Sequence, residues 1–151
     1  QGSGPGASHF GAVIFVGPMS HNSGMKFSEQ AILDRISGEG LTVREAQLPD
    51  EYWGYYDKER RLIVLQQGMT GPQRIATLLH EHAHHLRGDA GHQPQAVEDR
   101  IDEEVARMLV SAEDYRFWER QFGGSVAGIA YGLEVPRFIV EAYQRTLSKV
   151  T

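Results

Sequence analysis

Residues 72–88 read PQRIATLLHEHAHHLRG, with four histidines and one glutamate crowded between a proline and a glycine. Proline suits the first turn of a helix, where its missing N–H would lack a partner anyway, and Gly88 supplies the stop. At about 100° per residue, Ile75, Leu78, Leu79, Ala83 and Leu86 fall on one side, and His80 and His84 lie on roughly the opposite side. Four residues apart, these two imidazoles stack one turn from each other and can reach a common metal ion. The run His80-Glu81-His82-Ala83-His84 fits H-E-x-x-H. In that pattern the glutamate reaches a metal-activated water as general base without itself being a ligand. His82 falls inside the apolar arc and reads as a hydrogen-bonded core histidine. His85 borders neither face and reads as solvated or in contact with a loop.

Two histidines do not complete a catalytic site, which takes a third protein donor and leaves a position open for water. The segment VEDRIDEEVARMLV, residues 97–110, offers five acids. On a helix, Val97, Ile101, Val105, Met108 and Leu109 define a buried face. Glu98 lies about 50° from its centre, whereas Asp99 and Glu103 lie about 150° or more away. A carboxylate turned inward costs on the order of several kcal/mol unless it is paired or bound to metal, which makes Glu98 the candidate third ligand. Asp102, one turn on, can accept a hydrogen bond from the second nitrogen of a ligating histidine and fix its tautomer. Glu104, on the other flank, competes for the ligand role. Asp99, Arg100, Glu103 and Arg107 read as a solvated face.

The chain has 151 residues and no cysteine, so thiolate cages and disulfides are excluded and any metal must sit on imidazole, carboxylate and water. Absence of cysteine also argues against a purely structural zinc and fits a reducing cytoplasm. A net charge of −5 and a pI near 5.8 exclude broad, charge-driven nucleic-acid binding. The apolar run GAVIFVG, residues 11–17, is too short to cross a bilayer. Around the histidine helix the pattern predicts a helix from Phe27, capped by Ser28 and stopped at Gly38 and Gly40. Three strands follow at Leu41–Ala46, Tyr52–Asp57 and Arg60–Gln66, with Lys58 and Glu59 as a hairpin tip. Helices are expected from Pro94 to about Val110, from Ser111 to Phe122, at Val126–Tyr131 and at Pro136–Leu147. The order specifies an α+β domain over residues 25–151. Residues 1–24, rich in Gly, Ser and Pro, read as a tag or linker, or else supply a fourth, edge strand through Ala12–Val16. The stretch SVAGIAYGLEVPRFIVEAYQRTL, residues 125–147, has a helix-turn-helix outline. Its basic residues, with Lys149 beyond, are few against Glu134 and Glu141, so packing or partner contact is expected rather than DNA binding.

QRIATLLHEHAHHL (73–86) followed by VEDRIDEEVARMLVS (97–111) resembles the ImmA/IrrE family of gluzincin-type metallopeptidases. There an H-E-x-x-H helix precedes a helix of the form E-x-x-A-[ND]-x-[FW]-A-A-x-x-L. Glu98 falls on the family's glutamate ligand, Asp102 on its Asn or Asp, and Ala106 and Leu109 on later Ala and Leu positions. Ile101, Glu104 and Ser111 depart from the pattern. The lead-in GYYDKERRLIVLQQGMTGPQR (54–74) is similar as well. The resemblance implies a minimal zincin-like fold, with a small sheet packed on the active-site helix and further helices after it. It also implies a cytoplasmic zinc endopeptidase acting on a protein such as a transcriptional repressor. Zinc suits nitrogen and oxygen donors with an open position, and Mn or Fe could replace it. By the same resemblance, the edge strand that holds substrate would be Arg60–Gln66. Candidates for steadying the reacting oxygen are His92, Tyr55, Tyr56 and Tyr115. The alternative function is a metal-dependent regulator that binds a repressor without cutting it.

Overall fold

The computed structural model describes residues 27–150, so the Ala12–Val16 strand expectation lies outside the described residues. Helix α1 spans Glu29–Gly38 and begins at Ser28, whose hydroxyl accepts from the Ala31 amide. Strands β1 (Thr42–Ala46), β2 (Gly54–Asp57) and β3 (Leu62–Gln66) follow. Then come α2 (Gly71–Arg87), α3 (Gln95–Leu109), α4 (Ala112–Phe122), α5 (Val126–Leu133) and α6 (Arg137–Val150). The fold is α+β, with six helices and a three-stranded mixed sheet among the described residues. No described helix is long and apolar enough to cross a membrane.

The sheet order is β1-β3-β2, with β1 parallel and β2 antiparallel to β3. This corrects the expectation for the substrate strand: Arg60–Gln66 contains the central strand, whose hydrogen-bonding edges are both occupied. Of the two edge strands, β2 is the one that packs on α2. Hydrophobicity alone cannot reveal this, because strand order depends on β1 crossing to the far side of the hairpin. Ile63 and Leu65 on β3 are fully buried against the helices, and Val64, facing the other way, is covered by its cross-strand neighbours Arg44 and Tyr55.

The first turn of α2 is fixed by a capping box. The Thr70 hydroxyl accepts from the Gln73 amide, and the Gln73 side chain accepts from the Thr70 amide. Gly88 ends the helix in the left-handed conformation at φ 79°, which a β-carbon would disfavour. Between these ends α2 packs against α1, β2, β3 and α3. Neighbours on so many sides bury polar as well as apolar residues: Leu78, Leu79 and His82 are fully buried, and Ala83 nearly so. Leu86, expected on the buried side, is instead 40% exposed, because it lies in the last turn beyond the reach of the surrounding elements.

Two further contacts hold the site's walls. The Gln66 side chain donates to the carbonyls of Leu48 and Tyr52 and accepts from the Leu48 amide, ordering the loop that enters β2. On the far side α6 packs along α3. Glu103, expected in the solvated face, is only 4% exposed and accepts from Arg145 Nε at 2.9 Å and Lys149 Nζ at 2.6 Å. A basic pair one turn apart on α6 makes burial of this acid tolerable. These cations of the helix-turn-helix outline are thus engaged internally, and Ile129, Leu133, Ile139 and Val140 are core residues, in line with a packing role.

Two outcomes follow. A β-carbon on Gly54 would lie 2.7 Å from the Val64 carbonyl oxygen and 2.8 Å from Thr77 Cγ2, where β2 presses on both β3 and α2. Gly54→Ala is expected to cost about 1–3 kcal/mol in urea unfolding, while Gly71→Ala, with open space around it, should be neutral or slightly stabilising. Burial works against ionised Glu103, but Lys149 and Arg145 outweigh it and lower its pKa below the ordinary 4.5. Its stabilisation is therefore present above the unfolded-state pKa and is lost as pH falls through the lower folded value. With partners 40% and 62% exposed, Glu103→Gln should cost only about 1 kcal/mol at pH 7. That deficit should shrink as unfolding is measured at progressively more acid pH; a constant deficit would contradict the pairing.

Candidate metal centre

Helix α2 presents His80 and His84 one turn apart, their rings 5.0 Å between centroids, and α3 brings Glu98 across to both. The Glu98 carboxylate oxygen Oε1 lies 2.8 Å from His80 Nε2 and 3.1 Å from His84 Nε2. The three donor atoms lie within 4.8 Å of one another and form a group that could hold a metal ion. Asp102, one turn along α3, lies with Oδ1 at 2.7 Å from His80 Nδ1. The three ligands and the orienter proposed from sequence, His80, His84, Glu98 and Asp102, therefore meet at one place, with Asp102 on His80. Glu104 does not join them; it pairs with Arg107.

The matching partner for His84 was not anticipated. Asp89 is 1% exposed, and its Oδ2 lies 2.8 Å from His84 Nδ1 and accepts from Arg87 Nε at 2.8 Å. The sequence signal was faint, a single acid in the polar loop right after the helix-ending glycine. Asp89 reaches back because Gly88 turns the chain under the last turn of α2, where the Asp89 amide donates to the His84 carbonyl at 3.0 Å.

Each imidazole is thus held between two carboxylates, one at either nitrogen. A neutral imidazole carries one N–H, so it can satisfy only one of them. With Nδ1–H donated to Asp102 or Asp89, each Nε2 turns a lone pair toward an oxygen of Glu98. Acceptors that close are stable only with a cation between them, either a proton on each ring or one metal ion. Burial disfavours the charged His80 ring, but bonds to Asp102 and Glu98 outweigh it and raise its pKa to about 10. His84 is raised in the same way against its burial by Glu98 and Asp89. Glu98 is held far below the usual carboxylate range by the two imidazoles despite its burial. The donor chemistry accordingly fits a divalent ion with imidazole and carboxylate ligands.

Glu81 is 8% exposed and lies in the same cleft, which has a volume of about 820 Å³. Burial raises its pKa, and the neighbouring charges of Glu98 and Asp102 add to the rise while His80 and His84 oppose it. A carboxyl raised in this way holds a proton more readily than a free glutamate does. Thr77, one turn earlier, also lines the cleft, and its buried hydroxyl has no hydrogen-bond partner among the described residues. Sequence reasoning passed over it.

Of the candidates for steadying a reacting oxygen, Tyr55, Tyr56 and His92 border the cleft. Tyr115 does not. It packs on Tyr143, with its hydroxyl accepting from Gln144 at 3.0 Å, because α4 leads it into the core against α6. The Tyr56 hydroxyl is 3.0 Å from His85 Nδ1, so His85 is tied to the cleft wall rather than solvated. His82 is the fully buried, hydrogen-bonded histidine expected, with Nε2 donating to Glu39 Oε1 at 2.6 Å. Burial lowers its pKa in spite of Glu39.

No family model matches this chain, and no curated protein does. A solved structure of a Mycobacterium tuberculosis transcriptional regulator is similar in fold, with a TM-score of 0.54 at 12% sequence identity. The likeness covers 90% of this chain and 45% of that one, so the chain spans under half the length of that regulator. At that identity the likeness shows a shared fold for this α+β domain.

Proposed function

We propose that the chain is a zinc-dependent endopeptidase of the ImmA/IrrE type with a minimal zincin-like fold. One observation carries the reading: two imidazoles, each backed by a carboxylate, converge on Glu98 beside a buried glutamate. His80, His84 and Glu98 would hold the ion, with Asp102 and Asp89 orienting the two rings. When bound, the ion would polarise a carbonyl and lower the pKa of a water toward neutrality. Glu81 takes a proton from the attacking water on a carboxylate oxygen and returns it to the departing amine nitrogen. The outer edge of β2 beside the cleft suits an extended polypeptide, which would add to the sheet through main-chain hydrogen bonds. A cytoplasmic protein such as a transcriptional repressor is the substrate class that the family resemblance supports.

Metal analysis of the purified protein should find close to one zinc per chain, and Glu98→Ala should lose most of it. Asp89→Ala should weaken zinc binding by about 10–100-fold in a chelator competition, on a par with Asp102→Ala. Asp89→Ala matching the wild type would remove Asp89 from the site. Glu81→Gln should keep the metal and lose about 10²–10⁴-fold in cleavage of unfolded casein. If inactivation of a repressor target survives Glu81→Gln, the non-cleaving, metal-dependent regulator is the reading that remains.

A further inference from the structure

The candidate metal cleft and a second groove share part of their lining. This groove, about 1000 Å³, runs between the first turn of α2, helix α5 and the start of α6. Trp53, just before β2, and Phe138, on α6, line both hollows. Their rings meet edge to face at 5.1 Å and form the saddle between the two. A single small-molecule site occupies roughly 300–1,000 Å³, so the second groove alone reaches the top of that range and the two hollows together exceed it. Such a trough suits a chain that continues past the saddle.

The residues along it give that chain a character. An aromatic edge-to-face pair favours a bulky apolar or aromatic side chain laid against it. Beyond the saddle Tyr131 stands 79% exposed, offering a ring face to a cation. The groove carries Glu134 and Glu141 against Arg137, and Glu51 stands on the rim of the metal cleft. Glu51 and Glu141 are in no ion pair among the described residues. Acid therefore exceeds base along the path, and complementary charge on a partner would be positive.

The geometry points to a substrate-recognition trough for a polypeptide segment in which a bulky apolar residue is followed by basic residues. The apolar residue sits at the Trp53–Phe138 saddle and the basic ones lie along Glu141 and Tyr131. This assignment rests on the peptidase reading, and it names the residues that select the substrate.

The test uses zinc-loaded Glu81→Gln protein and three fluorescein-labelled peptides on one Gly/Ser background, carrying Phe-Arg-Lys, Ala-Arg-Lys or Phe-Glu-Glu. In anisotropy titrations the Phe-Arg-Lys peptide should bind about tenfold tighter than either of the others. Adding Phe138→Ala should erase the advantage of Phe over Ala. Adding Glu141→Lys, at an exposed position that leaves the core intact, should erase the advantage of Arg-Lys over Glu-Glu. Equal binding of the three peptides, or a charge preference that survives Glu141→Lys, would overturn the assignment. Incubating the wild-type protein with the Phe-Arg-Lys peptide separates the two readings. Selective binding without cleavage removes the peptidase reading and leaves the trough, whereas cleavage without selectivity removes the trough alone.

Discussion

One carboxylate oxygen facing two imidazole nitrogens is the constraint around which the rest of this molecule is arranged. Glu98 can approach both rings only if positive charge lies between them, and the rings can hold that charge only if their other nitrogens are backed by acids. Asp102 and Asp89 provide the backing. A polar cluster of this kind is destabilising in a low-dielectric interior unless every member is satisfied. The fold encloses α2 on several sides and sets the cluster at the edge of the enclosure, where one cleft reaches it; of its carboxylate oxygens, the buried Oδ1 of Asp89 has no partner among the described residues.

Apolar packing sets the distances that the polar groups require. Ile101 and Val105 of α3 are buried in the same core as Leu78, Leu79 and Ala83 of α2, which fixes the two helices at the separation that Glu98 must bridge. Behind α3, the Glu103 pairing with Arg145 and Lys149 ties it to α6, and Phe138 on α6 in turn shapes the cleft's far wall. On the near wall, the absence of a β-carbon at Gly54 lets β2 come close enough to α2 for Tyr56 to reach His85.

Much of this was legible in residue order because helical periodicity is local. The positions of His80, His84, Glu98 and Asp102, and the burial of His82, follow from angles around two helices that can be read from spacing alone. What was not legible depends on long-range geometry. Strand order placed β3 at the centre and β2 at the edge, and no pattern within either strand encodes that. Glu103 looked solvated because its partners lie more than forty residues later on α6. Asp89 was missed because its role comes from a turn after the helix and not from the helical period. His85 met Tyr56 only through the approach of the sheet.

The donors and their backing acids, His80 to Asp102, all belong to one helix–loop–helix unit. The loop between its helices is short, so the entropy lost on closing it is small, and such contacts form early when a chain collapses. The groove walls need more distant pairings: Gly54 with Thr77, and above all Trp53 with Phe138. The candidate metal group and the groove thus draw on contacts of very different range, and local unfolding that strips away β2 or α6 would dismantle the groove before it separates His80, His84 and Glu98.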